Sequence, residues 1–122
     1  MDLSKITKLI PEFTLKDFNM FDIVTHVEWD KALNFESGVE EATFSMTMQS
    51  DKGYEVSLKF IKAYSVEVDL CGQIMGFCIE DKIKYGYAPE NRYHVSDYEN
   101  GRITLDCEDI LIEKFAKIWW LQ

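Results

Sequence analysis

The residues with the widest range of chemistry in this sequence are two histidines and three cysteines. His26 and His94 could act as general bases, and Cys71, Cys78 and Cys107 could act as nucleophiles or as metal ligands. Zinc sites typically place a pair of ligands about two to four residues apart, and no pair of these residues has that spacing. The sequence therefore predicts neither a metal site nor a bound cofactor.

One of the histidines has a carboxylate partner in the predicted strand pairing. His94 falls opposite Asp106, an arrangement in which a carboxylate could orient a general base. Ordinary cross-strand pairs on an exposed face have the same form. Cys107 is predicted to face the core while His94 faces the other way, which separates the thiol from the imidazole. Because the sequence contains no G-x-S-x-G, Walker or G-x-G-x-x-G motif, we predict that the protein is not an enzyme.

Acidic residues dominate the charge of the chain. Asp and Glu total 22 against 13 Lys and Arg, which gives a net charge of −9. This exceeds the magnitude of about 2–8 that keeps a small domain soluble. More than half of the net negative charge lies within residues 21–60, whose net charge is −5. In that segment Glu36, Glu40 and Glu41 flank Ser37-Gly38, so a flexible loop is predicted to present clustered carboxylates.

Two acidic clusters are therefore predicted to bind a basic protein partner, whose arginines would meet the carboxylates in paired hydrogen bonds. The first is the loop cluster just described. The second, at a predicted strand end, consists of Asp106, Glu108 and Asp109. An acidic loop can occupy a basic cleft as a phosphate backbone would.

The same charge argues against two other kinds of partner. A negative field repels phosphate backbones and anionic membrane surfaces, so we predict binding to neither nucleic acid nor membrane. No apolar run approaches the roughly 18–20 residues that span a bilayer. The odd number of cysteines and the start at residues 1–5, which has neither a basic nor an apolar signal-peptide region, predict a cytoplasmic protein.

Alternating apolar residues indicate a chain made mainly of short strands. We predict one domain over residues 1–122, mainly β with some α structure. Its seven or eight strands should form an antiparallel β-sandwich or a partly open barrel. Leu3, Ile6 and Ile10 fall on one face of a short N-terminal helix that Pro11 ends. Ile23, Thr25, Val27 and Trp29 should share one side of the first strand, and Asp30-Lys31 should turn it into a short return strand.

The match of apolar residues fixes the register of one hairpin. A three-residue loop at 51–53 pairs Met48 with Val56, whereas a two-residue loop would set apolar residues against polar ones. Gly53 would then take the left-handed position of the loop.

A second hairpin is predicted to turn at residues 99–101. Its three-residue loop sets apolar residues against each other on one face and opposite charges on the other. The predicted pairs are Val95–Leu105, Tyr93–Cys107, His94–Asp106 and Arg92–Glu108. Beyond it, residues 113–120 fit a strand or a helix equally well, and Trp119 and Trp120 could pack on the core or anchor a partner.

Three of the predicted strands resemble those of small β-rich bacterial proteins. The runs at 21–29, 54–60 and 95–103 carry the likeness, which spans about residues 21–112. Several such families look like immunity proteins of bacterial toxin systems. The resemblance implies a cytoplasmic protein that binds and blocks one cognate toxin, and it transfers no functional residue to this chain.

Two other classes of function stay open at this point. One is a small-ligand-binding β-barrel with hydrolytic activity, which requires a deep pocket with convergent polar groups. The other is an oligomerisation module, which requires a self-complementary apolar patch. The sequence favours the binding protein for a basic partner because its acidic residues are concentrated in one segment.

Overall fold

The computed structural model describes residues 1–36, 38–69, 74, 76–83, 92–97 and 103–118, with the backbone alone at 32, 34 and 39–42. These residues contain eight strands, a short α-helix and a 3₁₀ helix. The elements are α1 (Ser4–Thr7), the 3₁₀ helix (Leu15–Met20), β1 (Phe21–Asn34), β2 (Val39–Ser50), β3 (Tyr54–Ile61), β4 (Tyr64–Val68), β5 (Phe77–Asp81), β6 (Tyr93–Asp97), β7 (Ile103–Cys107) and β8 (Asp109–Lys117).

The strands form two antiparallel sheets of four strands each. The first sheet has the order β1-β2-β3-β8 and the second has the order β4-β7-β6-β5. Their apolar faces supply most of one buried core, which includes Phe44, Met46, Leu58, Phe60, Ile110, Phe77, Tyr93, Val95 and Leu105. The predicted β-rich sandwich is confirmed, and the described strands form no closed barrel.

Two corners carry the chain from one sheet to the other. β3 passes into β4 through Lys62, whose φ is 53°, and Ala63. β7 passes into β8 at Glu108, whose N–H donates to the Ile61 carbonyl at 3.1 Å. Because both corners lie side by side, the β3–β8 pairing continues around the bend as the β4–β7 pairing.

Both predicted hairpin registers agree with the structure. Met48 pairs with Val56 across the loop 51–53, and Gly53 has the left-handed φ of 87° that the loop requires. In the second hairpin Tyr93 pairs with Cys107, together with Val95–Leu105 and His94–Asp106. The turn itself, residues 99–101, lies outside the described residues.

The predicted turn at Asp30-Lys31 is wrong. β1 runs without interruption to Asn34, and the chain reverses only at residues 35–38, where Gly38 has a φ of 71°. β1 has fourteen residues, and its pairing with β2 is unbroken from His26 to Asn34, so the chain does not reverse at Asp30-Lys31.

The predicted face of β1 is also corrected. A register shift between Val24 and His26 moves the pattern by one residue. Val27 and Trp29 therefore lie opposite Met46 and Phe44 on the inner face, whereas Ile23 is on the other face and exposed. Alternation in the sequence does not reveal such a bulge, because the residues on both sides of it still alternate.

The N-terminal segment is less helical than predicted. α1 covers only Ser4–Thr7, and Asp2 Oδ1 accepts the Ser4 N–H at 2.9 Å. The following 3₁₀ helix begins at a reciprocal cap between Thr14 and Asp17. Its Phe18 is fully buried and meets Phe77 of β5 edge-on, at 6.5 Å between ring centroids. This aromatic contact fastens the segment to the second sheet.

At the other end of the chain, residues 113–117 belong to strand β8. The choice between strand and helix is thereby settled for that part of 113–120. Trp119 and Trp120 lie outside the described residues. In β4, Tyr64 and Val68 are exposed, and a register shift between Tyr64 and Glu67 interrupts the pairing with β7.

Candidate partner-binding surface

The hairpin formed by β1 and β2 continues past the sandwich as an arm, which we define as residues 27–43. Its sequence contains five acidic residues and one basic residue. β2 pairs with β3 only from Thr43 onward, because β3 ends at Ile61 and turns into the other sheet. Residues 31–34 and 39–42 therefore form a two-stranded ribbon in the described part of the chain.

Exposed apolar side chains follow the β1 side of this arm. The exposed fractions are 37% for Val27, 44% for Trp29, 52% for Leu33 and 92% for Phe35. Ten large apolar residues are exposed among those described, and these four are neighbours along one strand and its turn. Such concentration distinguishes them from the isolated exposed apolar residues that every protein surface carries.

The base of the arm is fixed to the core by a row of aromatic rings. Trp29 meets Phe44 edge-on at 5.8 Å between ring centroids, and Phe44 stacks on Phe60 at 6.0 Å. Phe44 and Phe60 are buried. Lys31 Nζ lies 5.7 Å from the Trp29 ring, a cation–π contact on the same face. The arm is therefore anchored at Trp29 and projects from there.

The predicted loop cluster falls on the far part of the arm. Glu36 is exposed in the turn. Glu40 and Glu41 are the second and third residues of β2 and pair with Leu33 and Ala32. They belong to a strand, not to the flexible loop that the sequence suggested, and their side chains lie outside the described part of the structure. The backbone thus places all three positions within one hairpin end.

The second predicted cluster is engaged with cations of the protein itself. Asp106 Oδ1 lies 3.1 Å from Lys82 Nζ and 3.1 Å from His94 Nδ1. Glu108 Oε2 lies 3.3 Å from Lys62 Nζ. These internal ion pairs reduce the charge that the cluster presents to a partner.

The remaining acid of that cluster is Asp109. Its Oδ1 accepts the Ile110 N–H at 2.8 Å and lies 3.6 Å from the amino group of Met1. The predicted pairing of Arg92 with Glu108 is wrong. Arg92 instead donates two hydrogen bonds, 3.2 and 3.0 Å long, to the carboxylate of Asp81. This interaction lowers the pKa of Asp81.

The strand register places Asp109 at the end of the first sheet from which the arm extends. One row of paired residues runs Asp30, Thr43, Ile61 and Asp109 across β1, β2, β3 and β8. With strands about 4.8 Å apart, Asp30 and Asp109 are about 14 Å from each other. A partner that covers the arm would thus lie near Asp109 as well.

The pair of His94 and Asp106 is the alternative chemical site. His94 is half-exposed on the outer face of the second sheet, in a cross-strand row with Glu80 and Asp106. Lys82 shares the same oxygen of Asp106, so the carboxylate already balances a permanent cation. Among the described residues, no three His, Cys, Asp or Glu side chains come together as metal ligands would.

Cys107 is buried on the opposite face from His94. Burial, helped by the charges of Asp106 and Asp109, raises the pKa of its thiol to about 12. Because the thiolate is the reactive form, alkylation of native Cys107 by iodoacetamide at pH 8 should be at least about a hundredfold slower than in urea. Peptide mass spectrometry measures both rates. Equal rates in native and unfolded protein would contradict the described burial.

Sequence reasoning missed the apolar part of the arm. Trp29 was predicted in the first strand, but alternation gives no sign of where the covering sheet ends. The missing signal lies in the relative strand lengths: β1 and β2 have 14 and 12 residues, whereas β3 has 8. Lys82 was missed as the partner of Asp106 because it directly follows β5, which is not adjacent to β7 in the sheet.

Comparisons with protein-family models, curated protein sequences and solved structures give no significant match to this chain.

Proposed function

We propose that this protein binds a basic protein partner without catalysing a reaction, and that the partner is a toxin which it neutralises. The observation that carries the binding proposal is the arm, which joins five acidic residues to four exposed apolar side chains. The toxin is suggested by the resemblance of the strands to immunity proteins.

The two kinds of residue on the arm would contribute differently. Carboxylates at Glu36, Glu40 and Glu41 would raise the association rate and pair with arginines of the partner. Trp29 and Leu33 would then be desolvated, which is the way large apolar anchors slow dissociation. A nucleic acid does not fit the first of these roles, because its phosphates are repelled by the same carboxylates.

We place the complex in the cytoplasm. The thiols of Cys78 and Cys107 are free in the structure, which agrees with a reducing compartment. The helices in the described ranges are too short or too polar to cross a membrane. The internally paired carboxylates of Asp106, Glu108 and Asp109 have a secondary role in this proposal, since a partner would have to displace Lys62, Lys82 or His94 first.

Charge reversal on the arm tests the proposal. The purified protein is used to capture its partner from extracts of the source cell, and the triple variant E36K/E40K/E41K is compared with the unmodified protein by surface plasmon resonance. We expect the association rate at low salt to fall at least about tenfold, and its dependence on ionic strength to flatten.

A matched variant separates the effect of where the charges lie from the effect of the total charge. E12K/E67K/E113K changes the net charge by the same amount at three exposed acids outside the arm, and it should retain most of the association rate. Co-expression of the captured partner should arrest growth, and only proteins with an intact arm should relieve the arrest. An unchanged rate and salt dependence in the arm variant would refute the acidic-arm mechanism.

The alternative function is a small-ligand site with hydrolytic activity. The contact between His94 and Asp106 is the observation that favours it, because a carboxylate at 3.1 Å can orient an imidazole as a general base. Hydrolysis of a small ester that is lost in H94A and retained in E36K/E40K/E41K would make this second function the better account.

A further inference from the structure

We infer that the arm receives an extended basic segment of its partner as an added β-strand along the free edge of β1. This rests on the proposed function and names the form in which the partner binds. Three features of the arm support it: a strand edge with no partner strand among the described residues, the lack of a third strand in that part of the chain, and an alternation of apolar and acidic positions.

In the described part of the chain, no second strand pairs with the outer edge of β1. In the described part of the chain β1 is paired with β2 alone, and one hydrogen bond, from the Ile74 N–H to the Asp22 carbonyl at 3.1 Å, covers its beginning. Both register shifts lie before His26, and from His26 to Asn34 the pairing is unbroken. A regular edge of this length exposes alternate N–H and C=O groups to a further strand.

Natural proteins usually blunt such edges with bulges, prolines or lysines. Residues 26–34 contain no proline and one lysine, and the bulges of β1 occur elsewhere. Over residues 26–34 the edge therefore carries Lys31 as its one blunting residue of these kinds, and Val27, Trp29 and Leu33 are exposed along it. An edge with these properties is suited to strand addition and is otherwise prone to aggregation.

The two-stranded ribbon of residues 31–34 and 39–42 has no third strand in the described part of the chain, because β3 turns into the other sheet at Ile61. Two-stranded hairpins are marginally stable in water, and a third strand with an apolar face stabilises them. A strand added to β1 would supply it. The arm would gain main-chain hydrogen bonds and cover Trp29 and Leu33 at the same time.

Alternation along β1 specifies the chemistry of that strand. Val27, Trp29 and Leu33 lie on one face, and Glu28 and Asp30 lie on the other. An incoming strand must therefore alternate apolar residues with lysine or arginine. A second copy of this chain is a poor occupant, because it would set the acidic arm against an equally acidic arm.

Three peptides of nine residues test the inference. The first alternates lysine and valine, the second has the same sequence with N-methyl groups on alternate backbone nitrogens, and the third has glutamate in place of lysine. We expect the first to slow amide hydrogen exchange at residues 26–34 of the isotope-labelled protein at least about tenfold, and the other two to have no such effect.

A variant locates the binding on the edge. L33K places a cation where the basic strand must lie. It should weaken the binding of the first peptide at least about tenfold. L111K makes the same change at a comparably exposed leucine of β8, 46% exposed, and should leave binding unchanged. A chain that sediments as a dimer through β1 would overturn the inference, since the edge would be occupied by a second copy.

The outcomes separate this inference from the proposed function. Equal binding of the first and the N-methylated peptide would overturn strand addition and leave charge-driven binding of a basic partner intact. Equal binding of the lysine and glutamate peptides would overturn the charge complementarity on which both rest. A captured partner that loses affinity for E36K/E40K/E41K but not for L33K would overturn strand addition alone.

Discussion

The substitution F60A is expected to lower the free energy of unfolding by about 3–5 kcal/mol, the range typical of buried aromatic residues changed to alanine. Phe60 is fully buried at the end of β3 and stacks on Phe44, which in turn contacts Trp29 at the base of the arm. Removing the ring leaves a cavity that neighbouring strands cannot close, because they are held by hydrogen bonds on both sides of β3.

Urea denaturation followed by circular dichroism measures this effect. L111A serves as the control, since Leu111 is an exposed apolar residue of the neighbouring strand β8, and it should change the stability by no more than about 0.5 kcal/mol. Comparable losses for the two variants would contradict the burial of Phe60 in the core.

The second large effect is expected at Asp97, a carboxylate that is fully buried on the core face of β6. Its Oδ1 accepts the Ile103 N–H at 2.7 Å. D97A should lower the free energy of unfolding by about 1–3 kcal/mol, because the buried N–H of Ile103 would lose its acceptor. The same urea titration measures the loss.

A conservative variant distinguishes this hydrogen bond from side-chain volume. D97N retains an acceptor oxygen for the Ile103 N–H and should recover a part of the stability that D97A loses. S96A, a half-buried neighbour on the other face of β6, should remain within about 0.5 kcal/mol of the unmodified protein. If D97A were as stable as S96A, the hydrogen bond between Asp97 and Ile103 would make no net contribution to the free energy of unfolding.

The sequence predicted best where local pairing determines structure. The loop at 51–53 follows from the match of Met48 with Val56, because a slip of one residue would expose one face of the strand and bury the other. The pairing of His94 with Asp106 followed from the same reasoning. Both hairpins join strands that are neighbours along the chain, so few alternatives compete.

The predictions from sequence were wrong where contacts between distant parts of the chain determine the structure. Alternation across residues 23–29 conceals the bulge after Val24, and nothing local shows that β1 continues past Asp30-Lys31. The exposure of Trp29 depends on where β3 leaves the first sheet. The partner of Asp106 depends on the position of β5 beside β6. Each of these features is set by non-local packing, which a single sequence does not reveal.

The adjacent corners at Lys62 and Glu108 imply an order of folding. β3 pairs with β8, and Tyr54 and Lys117 at one end of that pairing are about sixty residues apart. Closing so long a loop costs more chain entropy than closing the short loops of the local hairpins. During synthesis the β1–β2–β3 meander can therefore assemble early, but β3 keeps an open edge until β8 has emerged. Both sheets are completed together, since the segment that supplies β8 also supplies β7.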